Sequence, residues 1–237
     1  MLITVGRPYF APFGGFFYRA FHADVLVVLD RVQLPLGTSW ITRNRFKNDQ
    51  GAVWLTVPVW KKHLGRQRID QVRICHQGRW ARKHLRLLEH AYANAPYYDD
   101  HRPFLEKCLD IGWEKIIDLN LEILNYVMPV LRLNTKIVLQ SELGVDATGG
   151  RLLIEICRTI AADGLLAQTP SRKYLDPQSF DAAGLTLQFL QIPAIVYPQL
   201  WGDFIANLSV FDLLLNCGPK SRDIICSHPP KITPGYL

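Results

Sequence analysis

The sequence predicts an α/β protein with a Rossmann-like parallel sheet flanked by helices. Short apolar runs alternate with helical patterns along most of the chain. The segment between Asp24 and Asp30 is entirely apolar, which is typical of a central parallel strand buried on both faces. A strand, a loop, a helix and this second strand follow one another at the N-terminus, and this order predicts a right-handed βαβ unit.

The first elements of this unit follow from local signals. Leu2–Val5 is a short β-type run that Gly6 and Pro8 interrupt. A loop rich in Gly, Pro and aromatic residues comes next, and Phe16–His22 is predicted to be helical. Because a βαβ unit is right-handed, the loop after the first strand is expected at the carboxyl edge of the sheet.

The middle of the chain is predicted to be an insertion into the α/β alternation, at about residues 40–132. Val53–Val59 and Ile69–Ile74 are rich in β-forming residues and flank the basic loop Lys61–Arg68, so a hairpin is expected here. Three helical patterns follow, at Arg79–Ala93, Tyr98–Asp110 and Trp113–Val127.

The alternation then resumes toward the C-terminus. Strands are predicted at Lys136–Leu139, Gly164–Ala167 and Leu185–Leu190, and helices at Gly150–Ala162, Pro177–Ala183 and Leu208–Leu215. We therefore expect a single α/β domain over residues 1–218 and a loosely ordered, proline-containing tail over residues 219–237.

The composition indicates an ordinary globular protein, with 49% hydrophobic and 20% charged residues in a chain of 237. No run approaches the roughly 18 apolar residues of a membrane helix, and the N-terminus lacks the features of a signal peptide. The five cysteines have no CxxC spacing, which favours reduced thiols. A cytoplasmic protein without membrane insertion is expected, and the sequence does not indicate its oligomeric state.

The basic residues are concentrated in one part of the chain. Twelve Lys and Arg but only two Asp lie between Arg43 and Arg86, so this segment has a formal charge of +10, whereas the whole chain has +6. Such a distribution favours an anionic partner such as phosphate, a nucleotide or RNA, although a solvated basic surface has the same pattern.

The loop after the first strand is the first candidate binding segment. It lacks the GxGxxG pattern, so ordinary dinucleotide binding is not supported. Arg7, Tyr9 and Phe10 lie in this loop before the next helix, whose free N–H groups favour anions. The alternative is that Pro and Gly only make the turn while the aromatic rings pack.

Polar residues after the second strand extend this candidate site. Asp30 ends that strand and Gln33 follows, and a carboxylate at this edge is suited to bind a metal, orient an amine or act as a base; capping of a turn is the alternative. The segment Trp40, Arg43, Asn44 and Arg45 is the preferred anion clamp, because guanidinium groups bind carboxylates and phosphates with two parallel hydrogen bonds. An exposed basic turn is the alternative.

Other polar residues lie in the C-terminal part of the chain. Asn207 or Ser209 would cap an apolar helical segment. Asp212 and Asn216 lie on one face of this helix, so their polar groups need partners in the protein or in a ligand. The histidines have no acidic partners at ligand spacing, so no metal site is predicted. The sequence does not identify a cofactor.

Taken together, these segments resemble the WbqC-like protein family, bacterial proteins associated with surface-polysaccharide and natural-product gene clusters. The matching residues share the spacing of the family's motifs and cover nearly the whole chain. They are Pro8, Tyr9, Pro12, Gly15 and Phe16; Leu29, Asp30, Val32 and Gln33; Trp40, Arg43, Asn44 and Arg45; Leu55–Pro58; Trp80–His84; Tyr92–Tyr97; Asp118–Asn120; Lys173–Leu175; Tyr197–Gln199; and Leu208–Leu214 with Asn216 and Gly218.

Two departures from the family pattern concern histidines. The family usually has His-Gln where this sequence has Gly6-Arg7, and a later His where this sequence has Ala194. If those histidines carry acid–base chemistry in the family, this chain has lost it or uses Arg7 and Asp30 instead.

The resemblance implies a biosynthetic transferase that moves an aminoacyl or acyl group onto the amine of an amino sugar or another small metabolite. Its donor would be a small anionic molecule or an aminoacyl-tRNA, and the resemblance adds Lys173, Tyr174, Tyr197 and Gln199 to the substrate-binding candidates. One alternative is a nucleotidyltransferase or ligase resembling the HUP-type folds, against which the absence of a His-x-Gly-His motif counts. Another is a protein that binds RNA or a metabolite without catalysis.

Overall fold

The computed structural model describes residues 1–110 and 112–235. Its strands are β1 (Leu2–Gly6), β2 (Val25–Val28), β3 (Arg43–Asn48), β4 (Gly51–Thr56), β5 (Lys136–Leu139), β6 (Gly164–Gln168), β7 (Thr186–Gln191) and β8 (Lys231–Pro234). Its helices are α1 (Gly14–Phe21), α2 (Trp80–Tyr92), α3 (Tyr98–Asp110), α4 (Ile116–Val130), α5 (Gly149–Thr159), α6 (Pro177–Asp181), α7 (Val210–Cys217) and α8 (Ser221–Cys226). Short 3-10 turns lie at Ile69–Gln71, Gln140–Leu143, Thr169–Tyr174 and Gly218–Lys220.

The main sheet has six strands in the order β5-β2-β1-β6-β7-β8, and all neighbours are parallel except β7 and β8. β1 and β2 are adjacent, parallel and interior, with Ile3 opposite Val25, so the predicted βαβ unit is confirmed. The chain builds the sheet outward from β1 through β2 to β5 and then returns to place β6 on the other side of β1. The strand order therefore reverses between β1 and β6, and ligands of open α/β sheets bind at the carboxyl edge of such a switch point.

Both faces of the sheet are covered. All four residues of β2 are buried. Leu26 and Val28 belong to the apolar cluster that contains α1, α4 and α7, and Val25 and Val27 to the cluster that contains α5 and α6. This alternation explains why the sequence of β2 is uniformly apolar. No helix in the described parts of the chain is long and apolar enough to cross a membrane.

The hairpin of the insertion is not where we predicted it. Arg43–Asn48 pairs with Gly51–Thr56, whereas Val59 and Ile74 share a single isolated bridge. The turn that sets the observed hairpin lies at residues 48–51. Asn48 Oδ1 accepts from the backbone N–H of Gln50, and Gly51 has a φ of +106°, which glycine adopts without strain.

The described part of the tail folds where we expected loose order. After a 3-10 turn and α8, the strand β8 pairs antiparallel with β7, from Gln191 opposite Lys231 to Gln188 opposite Pro234. All four residues of β8 are exposed, so the segment has no apolar pattern. The open backbone edge of β7 provides its pairing, and a proline is tolerated on such an edge strand.

Other predicted elements agree closely with the structure. The bounds of α3 and β5 are those predicted, whereas α7 begins two residues later than expected. The hydroxyl of Ser209 explains the later start, because it caps α7 by accepting from the N–H of Phe211 at 3.3 Å.

The buried His84 of α2 predicts loss of stability in acid. Burial lowers its pKa to about 4, from about 6.5 in the unfolded chain. Below pH 6.5 the unfolded state therefore binds more protons, and the free energy of unfolding should fall by about 3 kcal/mol as the pH drops toward 4. Urea unfolding at pH 7 and at pH 4 measures this loss. His84→Leu should reduce it, and the same change at exposed His90 of α2 should not; equal pH dependence in both variants would contradict the assignment.

Candidate functional site

Two buried amide side chains hold the loop after β1 in place. Asn44 Nδ2 donates to the carbonyl of Phe10 at 3.1 Å and also to that of Ala11. Asn120 Nδ2 donates to the carbonyls of Pro8 at 2.8 Å and Ile41 at 2.9 Å. These contacts stabilise a loop in which Ala11 has a strained φ of +43°.

This loop forms one wall of a cavity of about 270 Å³ at the carboxyl edge of β1 and β6. We call it the switch-point cavity, because it lies where the strand order reverses. The cavity is lined by Tyr9, Pro12, Phe13, Trp40, Asn44, Arg45, Gln168 and Asn207. A lining that combines aromatic rings with a guanidinium and amides suits a small ligand with an anionic or carbonyl group.

Arg45 is the cation in the lining of the cavity. Its Nη2 donates to the carbonyls of Ala206 at 2.9 Å and Asn207 at 3.2 Å, so the hairpin is tied to the segment before α7. Its Nε is buried and has no hydrogen-bond partner among the described residues. Asn207 has a left-handed φ of +57°. The arrangement fixes the guanidinium beside the cavity, and the N–H groups of Nη1 have no hydrogen-bond partner among the described residues.

Arg43 does not line the cavity, although its side chain points from the same face of β3 as that of Arg45. Its guanidinium carbon lies 4.0 Å from the ring centroid of Trp54. The predicted two-arginine clamp is thus divided between the cavity and the surface beside it.

Asp30, Gln33 and Arg7 lie at the same edge of the sheet, but none of them lines the cavity. Asp30 is buried, and its Oδ1 accepts from the N–H of Ser141 at 2.9 Å, just after β5. Gln33 is exposed and forms an isolated bridge with Arg68. Arg7 is exposed. A ligand in the cavity would have to extend across the end of β1 to meet Asp30.

Three of the predicted substrate-binding residues, Tyr197, Gln199 and Asp212, do not line the cavity and belong to a buried polar network. Tyr92 donates to Asp212 Oδ2 at 2.7 Å, and Lys47 Nζ donates to the carbonyl of Asp203 at 2.7 Å and to Gln199 Oε1 at 3.2 Å. Burial raises the pKa of Asp212, while Tyr92, Tyr197 and the charge of Lys47 oppose the rise. Burial beside Asp212 also raises the pKa of Tyr197. The network attaches β3, and with it Arg45, to α7 and the segment before it.

The remaining predicted residues, Lys173, Tyr174 and Phe10, do not line the cavity. Lys173 and Tyr174 are exposed on the 3-10 turn after β6, with the Lys173 ammonium 4.9 Å from the Tyr174 ring centroid. Phe10 is buried, and its N–H donates to the carbonyl of Trp40 at 2.8 Å.

Arg19 is a residue that the sequence analysis missed. Only 4% of it is exposed, and burial lowers its pKa to about 10. Its Nη2 lies 3.1 Å from the point where a Cβ at Gly6 would be, so the missing side chain at Gly6 makes room for this guanidinium at the end of β1. The signal was a lone arginine in the otherwise apolar helix α1. The Arg19 guanidinium adds positive charge near Tyr9.

The basic segment also borders an open groove of about 870 Å³ on the side of the insertion. Trp60, Lys62, Arg73 and His76 are among the residues that line it. The charge of Arg73 is balanced there by Glu114, at 2.9 Å. Among the described residues, no group of three or more His, Cys, Asp and Glu side chains is arranged to hold a metal ion.

Comparison with known proteins agrees with the resemblance in the motifs. The model of the WbqC-like protein family matches residues 7–224. The chain is 27% identical over 225 residues to the uncharacterized protein Rv1507c of Mycobacterium tuberculosis, covering 94% of this chain and 96% of that protein. No solved structure matches the chain. Because the family model spans most of the sequence, the chain belongs to the WbqC-like protein family.

Proposed function

We propose that this protein is a biosynthetic transferase that binds an anionic acyl or aminoacyl donor at the switch-point cavity. It would pass the group to the amine of an amino sugar or another small metabolite. The observation that carries the proposal is the Arg45 guanidinium in a cavity at the carboxyl edge of β1 and β6. A fixed guanidinium with an unused donor suits a phosphate or carboxylate.

The size of the cavity supports binding of one end of such a donor. Cavities that enclose a drug-sized ligand have volumes of roughly 300–1,000 Å³, and this one has about 270 Å³. The space suits an acyl group and its nearest polar atoms, while the rest of the donor would lie on the surface outside. Tyr9, Gln168 and Asn207 supply hydroxyl and amide groups that would orient the carbonyl.

The acceptor would approach from the β2 side, where Asp30 is the proposed base. The amine nitrogen forms a bond to the acyl carbon, and the bond from that carbon to the donor's leaving atom breaks, with the electron pair departing on the leaving group. The proton of the amine passes to Asp30, directly or through water. Asp30 Oδ1 is occupied by Ser141, which leaves Oδ2 for this role.

A binding screen followed by a transfer assay tests the proposal. ATP, acetyl-CoA and a mixture of charged aminoacyl-tRNAs would be added to the protein in a thermal-shift experiment, because a ligand that binds only the folded state raises the melting temperature. The ligand class that binds would then be supplied in its labelled acyl form, as an aminoacyl adenylate for ATP, as acetyl-CoA or as aminoacyl-tRNA, with glucosamine as the acceptor. Labelled N-acyl product is expected. Binding without turnover of any donor would favour a non-catalytic binding protein.

Arg45→Lys should weaken the donor that the screen identifies by about 1–3 kcal/mol, or roughly 5- to 150-fold in Kd. Lysine keeps the charge but loses the planar, fixed array of N–H donors. Isothermal titration measures the change. Arg82→Lys is the matched control, because Arg82 is exposed on α2 within the same basic segment. Equal affinities of both variants and the wild type would show that Arg45 does not bind the donor.

A further inference from the structure

Two exposed tryptophans are in contact at the mouth of the switch-point cavity. Trp40 is 43% exposed and Trp54 is 40% exposed, and their ring centroids are 5.2 Å apart with the planes inclined at 45°. Trp40 also lines the cavity, whereas Trp54 lies outside it. We call Trp40 and Trp54 the tryptophan pair. Two adjoining indole rings left in water form an apolar patch of the kind that marks a binding surface.

Each ring of the tryptophan pair has a guanidinium group near it. The Arg43 guanidinium carbon lies 4.0 Å from the centroid of Trp54, and that of Arg45 lies 5.9 Å from the centroid of Trp40. The register of the hairpin explains this arrangement, because Arg45 is directly opposite Trp54 and Arg43 is two residues away on the same face. No ion pair of Arg43 or Arg45 with a carboxylate occurs among the described residues.

We propose that the tryptophan pair stacks against a nucleobase and that the donor of the proposed reaction is therefore a nucleotide, with its phosphates between Arg43 and Arg45. This inference rests on the proposed function. Base–aromatic stacking uses exposed indole faces, and guanidinium groups bind phosphates. A nucleotide carries both a planar base and phosphates. Its acylated end would enter the cavity, which is too small for the whole molecule.

The charges distinguish the donor from the acceptor. An amino sugar at neutral pH is a cation, and two unpaired guanidinium groups would repel it. A neutral sugar ring would also pack on indole faces, but it carries no negative charge for the two arginines to bind. The surface therefore fits an anionic nucleotide. The nucleotide is either free, as in acetyl-CoA or an acyl adenylate, for which ATP is the probe, or the 3′ end of an RNA.

The experiment compares ATP with inorganic tripolyphosphate, which has the phosphates without the base. Isothermal titration of the wild type should show ATP binding about 5- to 150-fold more tightly than tripolyphosphate. Trp54→Ala should abolish this advantage and leave the affinity for tripolyphosphate unchanged, and Trp54→Phe should restore most of it. Trp60→Ala is the matched control, because Trp60 is 44% exposed but lies outside the tryptophan pair. It should retain the wild-type ratio.

A second arm identifies the source of the nucleotide. A single-stranded RNA ending in CCA would be titrated beside ATP and acetyl-CoA, with Trp54→Ala as the test in each case. Loss of affinity for the RNA alone would indicate an RNA end, and loss for ATP or acetyl-CoA would indicate a free nucleotide; either result supports the inference.

Three results would overturn the nucleotide assignment. If tripolyphosphate bound as tightly as every nucleotide, the base would add no affinity and the nucleotide assignment would fail. The anionic-donor proposal would remain intact. If the affinities for the nucleotides did not change in Trp54→Ala, the base would not stack on Trp54, and the anionic-donor proposal would again remain intact. If ATP, acetyl-CoA and RNA all fail to bind, the assignment fails as well, and the Arg45 titration with a non-nucleotide donor then decides the proposed function separately.

Discussion

Asp30→Asn is expected to lower turnover in the transfer assay about 100-fold or more, because an amide cannot accept the proton of the attacking amine. The fold should survive the change. Asparagine is nearly isosteric, and its Oδ1 still accepts from the N–H of Ser141. Single-turnover kinetics with the donor at saturation would measure the chemical step, and the melting temperature would report on folding.

Asp24→Asn provides the matched control for this experiment. Asp24 precedes β2 at the opposite, amino edge of the sheet, where its Oδ2 accepts from the N–H of Leu2 at 2.6 Å. The same substitution there should leave turnover within a few-fold of the wild type. Wild-type turnover in a folded Asp30→Asn variant would exclude Asp30 as the base and leave it as the residue that caps the turn after β5.

Lys47→Met is expected to reduce the free energy of unfolding by about 3–5 kcal/mol. Lys47 is 1% exposed, and its ammonium group donates to Gln199 and to the carbonyls of Gly202 and Asp203. The substitution removes the donor of these three bonds and the cation that helps to keep the buried Asp212 charged. Urea unfolding followed by tryptophan fluorescence would measure the difference.

A double-mutant cycle with Asp212→Asn tests whether this loss is electrostatic. Removing the carboxylate should cost less in the Lys47→Met background, by at least about 1 kcal/mol, because the two charges stabilise each other. Lys83→Met on exposed α2 should change stability by no more than about 0.5 kcal/mol. Strictly additive effects of the two substitutions would contradict the coupling of Lys47 with Asp212.

The local sequence pattern predicted the fold class because the burial and the periodicity of an element set the order of apolar and polar residues in it. β2 is buried on both faces, so its sequence is uniformly apolar. The strand β8 was missed because its residues are all exposed, and it is held by the backbone edge of β7 and by bonds from Arg172, which is distant in the sequence. The hairpin was misplaced because the turn at Asn48–Gly51 depends on side-chain-to-backbone bonding rather than on β-propensity.

Much of the candidate site followed from the same reasoning, but the roles of its residues did not. The sequence by itself determined an α/β chain with a βαβ start, a concentrated basic segment and the motifs of its family. It also pointed to Tyr9, Trp40 and Arg45, which line the cavity. The tertiary structure decided that Tyr197, Gln199 and Asp212 belong to a buried network with Lys47, and that Arg19 lies beside Gly6. Residue type and spacing set which groups are available to a site. Whether a polar group faces a cavity or another buried polar group depends on contacts between residues far apart in the chain, such as Lys47 and Gln199, and no local pattern records them.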